Sequence, residues 1–147
     1  MSFVLAWFMG CAAPPESVPG HFLPCPERDP CVSSEADIND GVHFLEPIRA
    51  PAGHTLPNDT LARLRSIILS LPGGAIAGGS ATTLRATFTS SFLGFVDDLE
   101  LRMDPKLRAV QVRSASRWPL RSGQGVRDRV EAVRTAWNAR FGPAPEP

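Results

Sequence analysis

Cysteine, histidine and lysine are all scarce in this chain, and each shortage closes off a class of chemistry. There are three cysteines and three histidines, and Lys106 is the single lysine among fifteen basic residues. A zinc site needs four ligands at characteristic spacing. His21, His43 and His54 lack that spacing, so no metal and no cofactor is expected. Nothing marks a thiol as activated for a Cys–His pair, and no Ser–His–Asp set accompanies the acidic residues. A formal net charge of zero argues against a general nucleic-acid binder. The apolar run at the start, Ser2 to Met9, is far shorter than the ~20 residues that span a bilayer.

What is present is unevenly distributed. Residues 1–59 hold eight acidic and two basic residues, a balance of −6, and residues 60–147 hold seven and thirteen, a balance of +6. The acidic part can fold back on the basic part, or each can face its own partner. The basic set is almost entirely arginine, which suits planar, bidentate recognition of carboxylate or phosphate.

The N-terminus speaks of location. The run Ser2–Met9 is followed by Gly10, Cys11, Ala12 and Ala13, which resembles the end of a bacterial lipoprotein signal. There a small residue precedes a cysteine that is lipidated and becomes the new N-terminus. Phe8 and Met9 depart from the usual pattern, as does the lack of a basic residue before the run. Cys25 and Cys31 lie in C-P-E-R-D-P-C, where Pro26 and Pro30 stiffen a short loop and make a disulfide geometrically reasonable. With Cys11 lipidated, the cysteines resolve into one anchor and one pair. The expectation is an exported domain on the periplasmic side of the cell envelope, held to the membrane only through an N-terminal lipid.

Residues 1–11 thus read as a signal-like segment, 12–24 as a proline-rich tether, 25–141 as one globular domain and 142–147 as a disordered tail. Within the domain, Asn39-Asp40-Gly41 makes a turn before a short apolar run that forms an edge strand. Asn58, Asp59 and Thr60 offer N-caps to a helix carrying Leu61, Leu64, Ile67, Ile68 and Leu71, ended by Pro72-Gly73-Gly74. Alternation over Thr82–Ser90, over Phe95–Met103 and from Val110 predicts three strands joined by short turns. A second helix over Val126–Phe141 buries Val126, Val130, Val133, Trp137 and Phe141. The fold expected is α+β in two layers: an antiparallel three- to four-stranded meander covered on one face by two helices. The other face carries Arg85, Asp98, Glu100, Arg102, Gln111, Arg113 and Arg117, where opposite charges can pair across strands.

The blocks C-P-E-R-D-P-C-V-S-S, H-F-L-E-P-I, S-S-F-L-G-F-V-D-D-L-E-L-R, V-R-S-A-S-R and R-D-R-V-E occur in order over about Pro24–Phe141. Together they resemble the family known as domain of unknown function 1499. The resemblance implies a small domain, often exported or membrane-anchored, of no established activity. Asp97, Asp98, Arg113, Ser114, Ser116, Arg117, Arg127 and Arg129 match its pattern. Pro119, Ser122, Gln124 and Val126 stand where the family tends to have Gly, Asp, Gly and Asn.

These eight matching residues are the candidate ligand site. Arg113 and Arg117 sit on one strand face, and a loop with Pro119, Gly123 and Gly125 leads to a helix N-terminus whose first turn carries Arg127 and Arg129. Such a junction suits an anion: a small molecule, a lipid head group or a carboxylate of an envelope protein. A second reading makes the Asp–Arg cluster an internal network and the hairpin tip (Phe92, Leu93, Phe95) a protein-docking surface. A third, a hydrolase built on Asp97 and Asp98, meets the difficulty that adjacent strand residues face opposite ways. Strand parity places Asp97 towards the core and Asp98 on the face of Arg113 and Arg117. At least one of the two is expected to accept a hydrogen bond from Arg113, Arg117, Arg127, Arg129, Ser114 or Ser116.

Overall fold

The computed structural model describes residues 20–142. Cys11, the tether up to residue 19 and the tail beyond 142 lie outside the described residues. The elements in chain order are β1 (Cys31–Ser33), β2 (Ile48–Arg49), α1 (Thr60–Ser70), β3 (Gly74–Gly79), β4 (Thr83–Thr89), β5 (Val96–Asp104), β6 (Ala109–Ser116) and α2 (Gly123–Phe141). All strand pairings are antiparallel, in the order β1-β6-β5-β4-β3, with β2 also on β6.

The α+β class and the single helical layer are as expected, and β3 to β6 form a four-stranded meander. Two short N-terminal strands extend the sheet to six. β1 pairs Cys31 with Ala115 and β2 pairs Ile48 with Val110, so both lie along one edge of β6. The run after Asn39-Asp40-Gly41 contributes an isolated bridge, Ser33 to Phe44, before β2. Strand β3 carried no alternation signal because its sequence is G-A-I-A-G-G. Glycine is what the position requires: a Cβ on Gly73 would lie 2.1 Å from the Thr89 carbonyl oxygen, and one on Gly74 2.0 Å from that of Ile68.

The core follows from the two periods. Leu84, Ala86, Phe88, Leu99, Leu101, Val110 and Val112 alternate inward from the sheet. Leu64, Ile67 and Ile68 of α1 and Val126, Val130, Val133 and Trp137 of α2 meet them. Two helix starts differ from expectation. Asp59 occupies the N-cap position of α1 with φ −93° and ψ 14°, so its side chain makes no cap bond and instead pairs with Arg63 at 2.8 Å. α2 begins at Gly123, three residues before Val126, because Ser122 is extended and its Oγ accepts from the Gly125 N–H at 3.1 Å. Gly123 and Gly125 therefore belong to the first helical turn, not to the loop.

The sheet face away from the helices is covered by the N-terminal segment. Arg113, 5% exposed, donates to the Leu23 carbonyl at 2.9 Å and to Glu100 at 3.0 Å. Glu35 accepts from Arg102 and from the Phe22 N–H. The Cys25–Cys31 disulfide, with Cα atoms 5.5 Å apart, closes the loop that leads this segment into β1. At the far end of the face, Ser34 donates to Gln111 at 2.6 Å and Gln111 donates to Asp104 at 3.0 Å.

The Gln111 bond holds the Asp104 carboxyl below its usual range. A carboxyl depressed in the folded state contributes stability that is complete above its unfolded pKa of about 4 and is lost as pH falls through the lower folded value. Acid unfolding of Gln111→Leu should therefore show a shallower fall of stability below about pH 4 than wild type, measured by urea denaturation across pH.

Candidate functional site

The chemistry gathers where the sheet meets the start of α2. Asp97 is the second residue of β5 and sits opposite Phe88 on β4 and Ser116 on β6. Its parity turns it towards the helices, and it is 1% exposed. Two arginines reach it from outside the sheet. Arg121, in the loop after β6, brings Nε to 3.1 Å of Oδ1, and Arg129, on α2, brings Nε to 3.7 Å of Oδ2. These are ion pairs by distance, yet neither is aligned as a hydrogen bond. Both Asp97 oxygens and both Nε atoms are buried without a hydrogen-bond partner. Two guanidinium groups stand against one carboxylate, and the hydrogen-bonding capacity of its oxygens goes unused.

Aromatic rings wall the cluster. The Arg129 guanidinium lies 4.8 Å from the centre of the Phe88 ring, and that of Arg121 5.8 Å from Phe95, whose ring stacks on Trp118 at 5.6 Å. Arg121 also folds back over the first turn of α2, donating to the Gly125 carbonyl at 3.3 Å. A Cβ on Gly125 would lie 3.1 Å from the Arg121 Cζ, so the glycine makes room for this path.

The predicted residues divide between the two sides of the sheet. Asp98 meets Arg117, which donates from Nε and Nη2 to the two carboxylate oxygens at 2.8 Å each. This bidentate bond raises the Arg117 pKa further and satisfies the expectation of an aspartate–arginine hydrogen bond. Arg113 goes to Glu100 and not to either aspartate. Ser114 is buried and donates to the Asp98 carbonyl at 3.0 Å, while the Ser116 hydroxyl accepts from the Trp118 N–H at 3.2 Å. Arg127 donates to the Val42 carbonyl at 3.0 Å. The four arginines that the sequence gathered at one junction thus lie on both faces of the sheet, because strand parity separates Arg113 and Arg117 from Arg129.

Arg121 is the member that sequence reasoning missed. Its signal was indirect: an inward aspartate near a strand end needs a cation, and the nearest loop carries Arg121 four residues before a glycine. Among the described residues, no group of three or more His, Cys, Asp and Glu side chains could hold a metal. No helix among them is long and apolar enough to cross a membrane.

The same end of the sheet is apolar outside. Phe92 is 90% exposed, Leu93 61%, Trp118 48% and Leu120 83%. A shallow hollow of about 400 Å³ lies between these loops, lined by Leu93, Phe95, Val96, Arg117 and Trp118.

A family model described as "Protein of unknown function (DUF1499)" matches residues 21–137. Comparison with curated proteins and with solved structures gave no match.

Removing the Asp97 carboxylate strands two largely covered guanidinium groups beside apolar rings. Asp97→Ala should cost about 3–5 kcal/mol of unfolding free energy, the usual penalty for breaking a buried pair from one side. Arg129→Met should cost less, since Arg121 remains and the methionine stem can still lie against Phe88. Denaturant unfolding of the two variants checks the order.

Proposed function

The chain belongs to the DUF1499 family, and from that premise we propose an exported, lipid-anchored domain of the cell envelope that catalyses no reaction and works by docking. One observation carries the reading. Every acidic group at the candidate site stands beside a guanidinium group of the chain, while the adjoining end of the sheet presents Phe92, Leu93, Trp118 and Leu120 to solvent. The charged pairs then fix the fold, and the apolar end makes the contact. Asp97 and Asp98 point to opposite sides of β5, which supports a non-catalytic role, since two carboxylates that share a reaction must reach one substrate. Export is supported by the Cys25–Cys31 disulfide, because such bonds persist in oxidising compartments. The anchor rests on Gly10-Cys11-Ala12.

Fatty-acid labelling in cells tests the anchor. Label should appear on the wild type and be absent from Cys11→Ser; label retained by that variant, or absent from both, refutes it.

A second reading places an anion at the junction of β6 and α2. It is favoured by the imbalance around Asp97, where two guanidinium groups meet one carboxylate beside a helix N-terminus. On that reading inorganic phosphate raises the melting temperature of the wild type and not of Arg129→Met. On the docking reading phosphate shifts neither.

A further inference from the structure

We infer that the partner of the apolar end is an anionic bilayer surface, into whose head-group region Phe92, Leu93, Trp118 and Leu120 dip. The inference rests on the docking reading above and names its partner.

Four of the eight exposed large apolar side chains of the described residues fall on two neighbouring loops, Ser90–Phe95 and Arg117–Ser122. The Phe95–Trp118 stack and the Arg121–Asp97 pair tie those loops together. Neither loop contains an acidic residue, and the second carries Arg117 and Arg121. Of the other four, Ile38 and Val42 lie in a turn with Asp37 and Asp40, and Leu69 on α1 and Leu107 in the turn after β5 stand singly. Aromatic and leucine side chains beside arginine are the composition that partitions to the interface of an acidic membrane. The rings sit at head-group level, and Arg117, half-exposed beside Asp98, is the loop guanidinium that can also face lipid phosphates. The surplus guanidinium charge around Asp97 lies directly behind these loops and has the sign that such a surface attracts.

Chain length agrees. Nine residues of chain lead from Cys11 to Gly20 and reach about 30 Å when extended. Strand β5, with nine residues, is about as long. An anchor at Cys11 therefore leaves the apolar end free to meet the membrane that holds the lipid.

Vesicle flotation tests this with the full chain carrying Cys11→Ser, so that no acyl chain contributes. The expected result is flotation with vesicles of phosphatidylcholine mixed with phosphatidylglycerol, weakened by salt. It should fall about tenfold in Phe92→Ser/Leu120→Ser, since binding scales with inserted apolar area. Both side chains are exposed, so an unchanged melting temperature shows that the variant is folded. Equal flotation of variant and parent, no flotation of either, or equal binding to phosphatidylcholine alone overturns the inference. A photo-crosslinking side chain at Phe92 then separates the two levels of the argument in cells. Cross-linking to an envelope protein keeps the docking reading and discards the bilayer; no cross-link discards both.

Discussion

A carboxylate on the core side of a sheet is the constraint from which the rest of this site follows. Burying an isolated charge costs many kcal/mol, so Asp97 needs cations close by. No strand can supply them, because its cross-strand neighbours on that face are Phe88 and Ser116. They come instead from the loop after β6 and from the second turn of α2, and Arg121 and Arg129 bind those two elements to the sheet end. The pair is better understood as a device for position than as a source of stability, since a buried ion pair often adds no net stability over an apolar replacement. Position is what it visibly determines: Arg121 crosses Gly125 and packs on Phe95, and Phe95 carries Trp118.

The opposite charges of the two halves of the chain raise a related question, and the answer is not simply ion pairing. Between the acidic N-terminal part and the basic remainder, two carboxylate–guanidinium bridges occur among the described residues, and Glu35–Arg102 is the one that joins residues far apart in the chain. The other acidic residues of that part that form bridges pair locally, Asp40 with His43, Glu46 with Arg49 and Asp59 with the nearby Arg63. What the arginines of the later part reach for is backbone. Arg113 donates to the Leu23 carbonyl, Arg127 to that of Val42, and Arg134 to those of Pro47 and Glu46. An irregular segment laid over a sheet leaves carbonyls that no ladder satisfies. Arginine, with five donors on a long stem, can satisfy several of them while also meeting a carboxylate. That use accounts for arginine rather than lysine at Arg113, Arg127 and Arg134 without invoking a ligand.

Period was the part of the sequence that reported most faithfully on structure. The runs containing Leu84, Leu99 and Val112 alternate because one face packs on helices, and they are strands as expected. Val126 to Phe141 repeats at helical spacing and lies on the sheet. The failures have a common cause in residues whose side chains carry no pattern. β3 is mostly glycine and alanine, and β1 is three residues whose pairing depends on β6, more than seventy positions away. The charged face looked solvent-exposed because nothing local reveals that Phe22–Pro24 returns to lie across Arg113. At the site, parity correctly turned Asp97 inward and Asp98 outward. It could not say which arginine answers Asp97, since that depends on the course of a loop.

The inner and outer sides of that sheet end are parts of one arrangement. Loops that display large apolar side chains ordinarily lose conformational freedom when they dock, and that loss weakens binding. Here the inner ends of both loops are already held, one through Phe95 in β5's approach, the other through Arg121 and the Trp118 N–H bond to Ser116. Phe92 and Leu120 then project from anchored backbone, so less ordering opposes their burial. A buried carboxylate that adds little net stability thus holds the shape of a surface a few ångströms away, where hydrophobic side chains face water.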